Sequence, residues 1–412
     1  MNFIGHWAHR LIAQRALLAS LIIYTSLCVT LFLSVGGDIA SLTSDLDFYL
    51  SAIVRALPDR TSALAQEIYQ SSPYVDPSYR LGWHPTPFYA YVFLAPLWLG
   101  GSQLGLACLG WVIGVLTLIG VFVIVRRHLQ GLPRWFELLF MLIVPLNFNF
   151  LVDSLPVSTM SVAAMFVVLA FAVPMRLLRV ALLACAAMIR SNFVVALACL
   201  VLVLLLFRPR AWRALLLDLI PAVTMSVVFY NLFYSSYPGS GLNYLFSALS
   251  QGIDYSEHMG VELVRGVLGV NDEQELFQAD LGLGDIWQLM QHPQSWSYVF
   301  NLWMLKVSIT LGFVHEKLFL SEHGFWLTKA WRTCFFVLVS LPGSYAAALL
   351  MGMHRIALLE RCVYAWVLCY LLLNSLLIGD PRYLMGGYCF LAFALLRLIS
   401  LVYPAPLKPL QG

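Results

Sequence analysis

Charge is what this sequence has least of. Asp, Glu, Lys and Arg make up 11% of its 412 residues, against 61% hydrophobic ones. A soluble domain carries about 25% charged residues, so the composition argues for one continuous membrane domain rather than a soluble globule. A net charge of +3 gives no footing for nucleic acid. No CxxC pair occurs, and all eight cysteines (Cys28, Cys108, Cys185, Cys199, Cys334, Cys362, Cys369 and Cys389) fall inside apolar runs. They are expected as free thiols packing as small hydrophobes, with neither a disulfide nor a metal site. No Gly-rich phosphate loop is present, which speaks against a nucleotide site. There is also no internal repeat and no low-complexity linker.

What the sequence has in abundance is apolar runs. Those over 16–35, 104–125, 155–173, 215–233, 333–353, 362–378 and 383–402 approach the length of about 20 residues that a spanning helix needs, and 136–150 is shorter. Residues 177–189 and 193–207 are two short runs parted by Arg190, Ser191 and Asn192. They are expected as a hairpin of short or broken helices with Arg190 at its apex. The first run follows His6, His9, Arg10 and Arg15 and lacks a small-residue cleavage signature, so it is expected to stay as a first transmembrane helix.

Basic clusters occur at Arg10/Arg15, Arg126/Arg127/Arg134, Arg176/Arg179, Arg208/Arg210/Arg213, Arg355/Arg361 and Lys408. Placing all of them inside predicts an all-α polytopic protein of about ten spans, a single domain over 1–412 with both termini cytoplasmic. Residues 88–99 then form an interfacial or re-entrant helix on the outer side. The run 298–320 carries Lys306 and ends in His315-Glu316-Lys317, so it is expected to lie along the outer leaflet. This leaves Lys329 and Arg332 outside, against the charge rule. Two large outer regions, 36–103 and 235–332, hold most of the polar sequence. All acidic residues except Glu137, Asp218 and Glu360 fall on the outer side, so an active surface is expected to face outward.

The first outer region opens with Ser44-Asp45-Leu46-Asp47-Phe48-Tyr49. A carboxylate near the bilayer surface can take a proton from an acceptor hydroxyl when the donor is lipid-bound. Asp45 and Asp47 equally suit the cap of a helix over 48–56. An Asp-x-Asp metal site for a nucleotide sugar fits poorly with a motif on the outer side. Downstream, Tyr79, Trp83 and Tyr89 are either sugar-stacking platforms or an interfacial aromatic belt. His84 either bonds a phosphate or is a structural histidine. Arg190, an ionisable group beside hydrocarbon, marks a functional site by default, with a snorkelling arginine as the plainer account. Asp380-Pro381-Arg382-Tyr383, between the last two runs, offers a second arginine, or merely a surface turn.

The order Asp45-Leu-x-x-Tyr49-x-x-Ala52, Ile68-Tyr69, Trp83-His84-Pro85-Thr-Pro-Phe and then a Pro96-containing apolar stretch resembles the GT-C integral-membrane glycosyltransferases. It is most similar to the polyprenyl-phosphate-mannose-dependent mannosyltransferases and related bacterial arabinosyl and pilin glycosyltransferases. His84-Pro85 stands where that family more often has Tyr/Phe-x-Pro. The resemblance implies Asp45, with Asp47 as alternate, as the catalytic base. It implies Arg190 and Arg382 as contacts to the lipid phosphate, and His84, Tyr49 and Trp83 as further substrate contacts. His292-Pro293 followed by Lys306 resembles a stretch opening the second outer region of such enzymes, which adds Lys306 and His315; a solvated helix end accounts for His315 as well.

The activity so implied is inverting transfer of a sugar from a polyprenyl phosphate, undecaprenyl in a bacterium, to an acceptor hydroxyl outside the inner membrane. No cofactor or metal is called for. The acceptor is a glycan, a lipid or a secreted protein such as a pilin, and membrane lipids are the surroundings. An O-antigen-type polymerase or ligase, or a lipid-linked glycan transporter, are the rival classes.

Overall fold

Apolar runs without strand-like alternation wind into helices. The computed structural model describes residues 3–42, 45–72, 88–128, 134–190, 212–234, 283–310, 334–353, 356–377 and 385–402, with 197–198, 200–202, 205 and 330–331 between them. All regular structure among the described residues is helical. The long helices are α1 (Phe3–Ser34) and α5 (Gln103–His128). Their portions Arg15–Ser34 and Gln103–Arg127 are long and apolar enough to cross a bilayer. Each reaches about 30 Å or more, the thickness of a hydrocarbon core.

Between α1 and α5 lie three short helices: α2 (Asp45–Ala56), α3 (Ala63–Ser71) and α4 (Ala95–Trp98). The run 88–99 is not one helix. It makes a π-helical turn over Tyr89–Phe93, bends at Leu94 and resumes as α4, because Pro96 has no N–H to continue the earlier ladder. Ser62 ties this layer together, its backbone N–H donating to the Trp98 carbonyl over 2.7 Å and its hydroxyl to the Leu97 carbonyl over 2.8 Å.

Prolines also reshape the next two runs. The run 136–150 becomes α6 (Arg134–Ile143) and α7 (Phe148–Ser154), parted at Pro145. The run 155–173 turns helical only at Thr159, after Pro156, and gives α8 (Thr159–Ala172). A hairpin leads to α9 (Arg176–Ile189) and, farther on, to α10 (Trp212–Tyr234). Residues 235–332 contribute α11 (Leu283–Gln291) and α12 (Pro293–Thr310). Helix α12 packs against α11 and α14 (Leu358–Leu377). It starts earlier than the apolar run suggests, with Pro293 pre-set for a helix start, and residues 311–320 of that run lie outside the described residues. The chain closes with a π-helical turn over Phe336–Ser340, α13 (Leu341–Gly352), α14 and α15 (Met385–Val402).

Named contacts fix helix directions. Gln103 bonds Asp38 and Ala40, while Trp111 and Gly114 meet Thr25 and Tyr24, so α1 and α5 are antiparallel. Gly110 abuts Ser154 and Leu155, and Gly120 abuts Val168, so α5 and α8 run parallel. Ser20 bonds the Met141 carbonyl and Tyr24 meets Ser154, so α6–α7 follow α1. Glu360 with Arg397, Tyr364 with Phe393 and Trp366 with Phe390 make α14 and α15 antiparallel.

Close approach at the centre depends on missing side chains. A Cβ on Gly110 would strike the carbonyls of Ser154 and Leu155, and one on Gly114 would strike the Tyr24 hydroxyl. Gly110-x-x-x-Gly114 is a small-residue spacing that lets helix backbones meet. Tyr24, fully buried, fills the space so made, with its hydroxyl 2.8 Å from Ser154 Oγ. No disulfide joins the seven described cysteines, and Cys28, Cys362 and Cys389 are buried.

Candidate functional site

The layer α2–α4 lies over one end of the bundle, called here the upper end. Helix α2 begins at Asp45 itself. Asp45 and Asp47 therefore occupy its first turn instead of preceding a helix over 48–56, and a carboxylate there is favoured by the helix dipole. Their side chains lie outside the described residues, as does that of Lys306 on α12. Trp83, His84, His315 and Arg382 lie outside the described residues altogether.

One helical turn beyond Asp45, the Tyr49 ring meets the edge of Tyr89, with centroids 4.9 Å apart. Tyr89 is fully buried, and its hydroxyl donates to the Val157 carbonyl over 2.7 Å. This corrects the expectation for Tyr89: a ring with no exposed face is neither a sugar-stacking platform nor part of an aromatic belt. Tyr49 too is buried, so α2 is seated on the head of α8 through two tyrosines.

The turn beneath them is unusual. Ser158 N–H donates to the Asp153 carbonyl and Val157 N–H to the Ser154 carbonyl, each over 3.0 Å. This is the paired bonding of a Schellman helix end, whose left-handed residue is usually Gly. Here that residue is Val157, at φ 58°. A β-branched residue in this region is a true outlier, and strain of about 1–3 kcal/mol persists only where surroundings over-determine it. Ser158 both completes the end of α7 and caps α8, its hydroxyl accepting from Ser161 N–H over 3.2 Å.

The same turn gathers buried polar groups: Asn147, Asp153, Ser154, Ser158, Thr159 and Ser161. Asp153 is only 1% exposed. Thr159 Oγ1 is buried with no hydrogen-bond partner among the described residues, a hydroxyl able to donate to a bound group. Sequence reasoning counted Asp153 only as one more outer acid. The signal that marks it is a carboxylate at the end of an apolar run, directly before Ser-Leu-Pro.

The turn also sits deep. It lies level with Gly110 of α5, about 10 Å below the start of that helix at Gln103, and level with Tyr24 of α1, about 15 Å below Ser34. Helix α9 pairs with α8 as a hairpin of matched length, each about 21 Å long. The far end of α9 thus returns to the level of Thr159. There Arg190 terminates the helix with extended backbone, its N–H donating to the Ala186 carbonyl over 3.1 Å, and its side chain is half-buried. Asp45, Asp153 and Arg190 therefore lie toward the same, upper end of the bundle, contributed by three separate helices. The described residues contain no His/Cys/Asp/Glu group able to hold a metal ion.

No family model, curated protein or solved structure matches this chain. The site therefore stands on its own geometry.

Proposed function

We propose that this chain is an integral-membrane glycosyltransferase that takes a sugar from a polyprenyl-phosphate donor. The acceptor hydroxyl belongs to a glycan, a lipid or a secreted protein, and the reaction proceeds outside the inner membrane with inversion. The observation that carries the reading is the gathering of a carboxylate-bearing helix start (Asp45, Asp47) and a half-buried arginine (Arg190) at one recessed end of an apolar helix bundle. A lipid-linked phosphate arriving through the membrane meets the guanidinium, which suits phosphate through paired hydrogen bonds. Asp45 or Asp47 removes the acceptor proton. The oxygen attacks the anomeric carbon, and the sugar–phosphate ester bond breaks. Negative charge grows on the departing polyprenyl phosphate, so a fixed cation there favours the transition state over the ground state. Arg382, His84, Trp83, Lys306 and His315 complete the proposed substrate contacts, while Tyr49, buried against Tyr89, seats α2 instead.

The layout that goes with this reading is about ten spans with the α2–α4 layer outward. The alternating directions of α1, α5, α6–α7, α8 and α9, and of α13, α14 and α15, support it. The test is release of undecaprenyl phosphate from synthetic undecaprenyl-phosphate hexoses and pentoses by the full chain in nanodiscs, with and without chelator. Turnover that depends on Asp45 or Asp47 supports the reading. No release with any donor and a mixed acceptor extract from membranes would remove it.

A further inference from the structure

Three observations converge on Tyr89. Val157 adopts a left-handed conformation that costs a β-branched residue dearly, where glycine is the usual occupant. Its N–H is used within the turn, and among the described residues the partner its carbonyl receives from another element is the Tyr89 hydroxyl, sixty-eight positions away in sequence. The same Tyr89 ring carries Tyr49, and so the helix that opens on Asp45. It does so from a π-helical turn, a rare geometry found mostly at functional sites. A strained turn and an irregular turn are thus joined by a single hydroxyl.

We infer that Tyr89 is a positioning residue: its hydroxyl, bonded to the Val157 carbonyl, sets the depth and orientation of α2 over the head of α8. Without it the Pro156–Val157 turn relaxes toward an unstrained conformation, the carbonyl leaves its place, and α2 loses its seat. Packing of the Tyr49 and Tyr89 rings alone leaves α2 free to slide, since edge-to-face contact is broad in its geometry. The inference rests on the transferase reading only for what the seat serves. The seat itself is a matter of structure.

The test therefore reads position separately from activity. In the full chain with its native cysteines replaced, spin labels are attached at Ala56→Cys at the end of α2 and Leu104→Cys at the upper end of α5, both exposed. Electron–electron distances are measured in nanodiscs. Tyr89→Phe keeps the ring and removes only the hydroxyl. The expected result is a distance distribution broader than wild type. Val157→Gly with Tyr89 intact, which removes the left-handed penalty and keeps the hydroxyl–carbonyl bond, leaves it at wild type. Tyr370→Phe, an equally buried hydroxyl in the bundle, leaves the distribution at wild type and controls for lost stability. A wild-type distribution in Tyr89→Phe overturns the proposal, and so does an equal broadening in Tyr370→Phe. Undecaprenyl phosphate release is followed on the same samples. If wild type releases none while the distances behave as expected, the transferase reading falls and the positioning role stands.

Discussion

Arg397, embedded in the apolar sequence of α15, donates through Nε to Glu360 Oε1 over 3.1 Å, and Tyr364 donates its hydroxyl to the same oxygen over 2.8 Å. Glu360 is buried on α14, so a carboxylate and a guanidinium inside the bundle hold two antiparallel helices together. Removing one partner of such a pair leaves an uncompensated buried charge, which costs about 3–5 kcal/mol, whereas replacing both by apolar groups is often neutral. Glu360→Leu should therefore lower the unfolding temperature in detergent sharply, and Glu360→Leu/Arg397→Leu should regain most of the loss. Additive losses in the double variant would show that the pair contributes nothing jointly.

Gly110 and Gly114 make a second stability prediction. At Gly110 an added methyl meets backbone carbonyls, and at Gly114 it meets the buried, hydrogen-bonded ring of Tyr24. Gly110→Ala and Gly114→Ala should each cost about 1–3 kcal/mol, the usual range for overpacking. Fluorescence-detected size exclusion after graded heating measures both. Equal melting of Gly110→Ala and wild type would mean that α5 and α7 stand farther apart.

The carboxylates separate basicity from helix initiation. Asp45 and Asp47 sit in the first turn of α2, where exchanging Asp for Asn forgoes only about 0.3–1 kcal/mol of dipole interaction. If Asp45 is the base, Asp45→Asn should abolish undecaprenyl phosphate release while expression stays near wild type, and Asp47→Asn should cost less. The reverse ranking moves the base to Asp47. Retained turnover in the double variant ends the general-base account.

Arg190 should govern donor affinity. A hydrogen bond to a charged group contributes about 1.5–3 kcal/mol, so Arg190→Ala should weaken binding of undecaprenyl phosphate about 10- to 100-fold. Arg190→Lys should recover only part, because an ammonium cannot match the guanidinium fork. Calorimetric titration checks this, and unchanged affinity in Arg190→Ala would mean the arginine only snorkels.

Orientation is open to thiol labelling in a cysteine-free background. Ala56→Cys in the upper layer should react with an impermeant maleimide added outside intact cells. Met175→Cys, exposed in the hairpin at the opposite end, should react only after permeabilisation. Labelling of Met175→Cys from outside would invert the layout.

Helix content and the positions of α1, α5, α9, α14 and α15 were legible in the sequence because each is an apolar run, long or, for α9, short, bounded by charge or a breaker. The places where reading by runs failed are those where Pro145, Pro156 and Pro96 divide a run without changing its hydropathy. The Asp45 region was legible through its carboxylates and its position after the first helix. Asp153 and Val157 were not, since a Schellman end with valine in place of glycine carries no sequence signature. Arg397 was visible as a charge within an apolar run, yet its partner Glu360 becomes apparent only when α14 and α15 are set side by side.

The depth of the α7–α8 turn bears on how anything reaches it. Irregular backbone at membrane depth is tolerated where protein covers it or where it lines water. Here the turn's own N–H groups are bonded internally and Tyr89 of the α2–α4 layer bonds its carbonyl. Lifting that layer would strand a buried acceptor, at a cost of about 1–3 kcal/mol. On the proposed function, a donor held in the membrane would reach this end sideways, between helices, from within the lipid. For a substrate carried on a lipid tail, arrival becomes a two-dimensional encounter, whose frequency follows the mole fraction of that lipid in the leaflet and is indifferent to the volume of the surrounding solution.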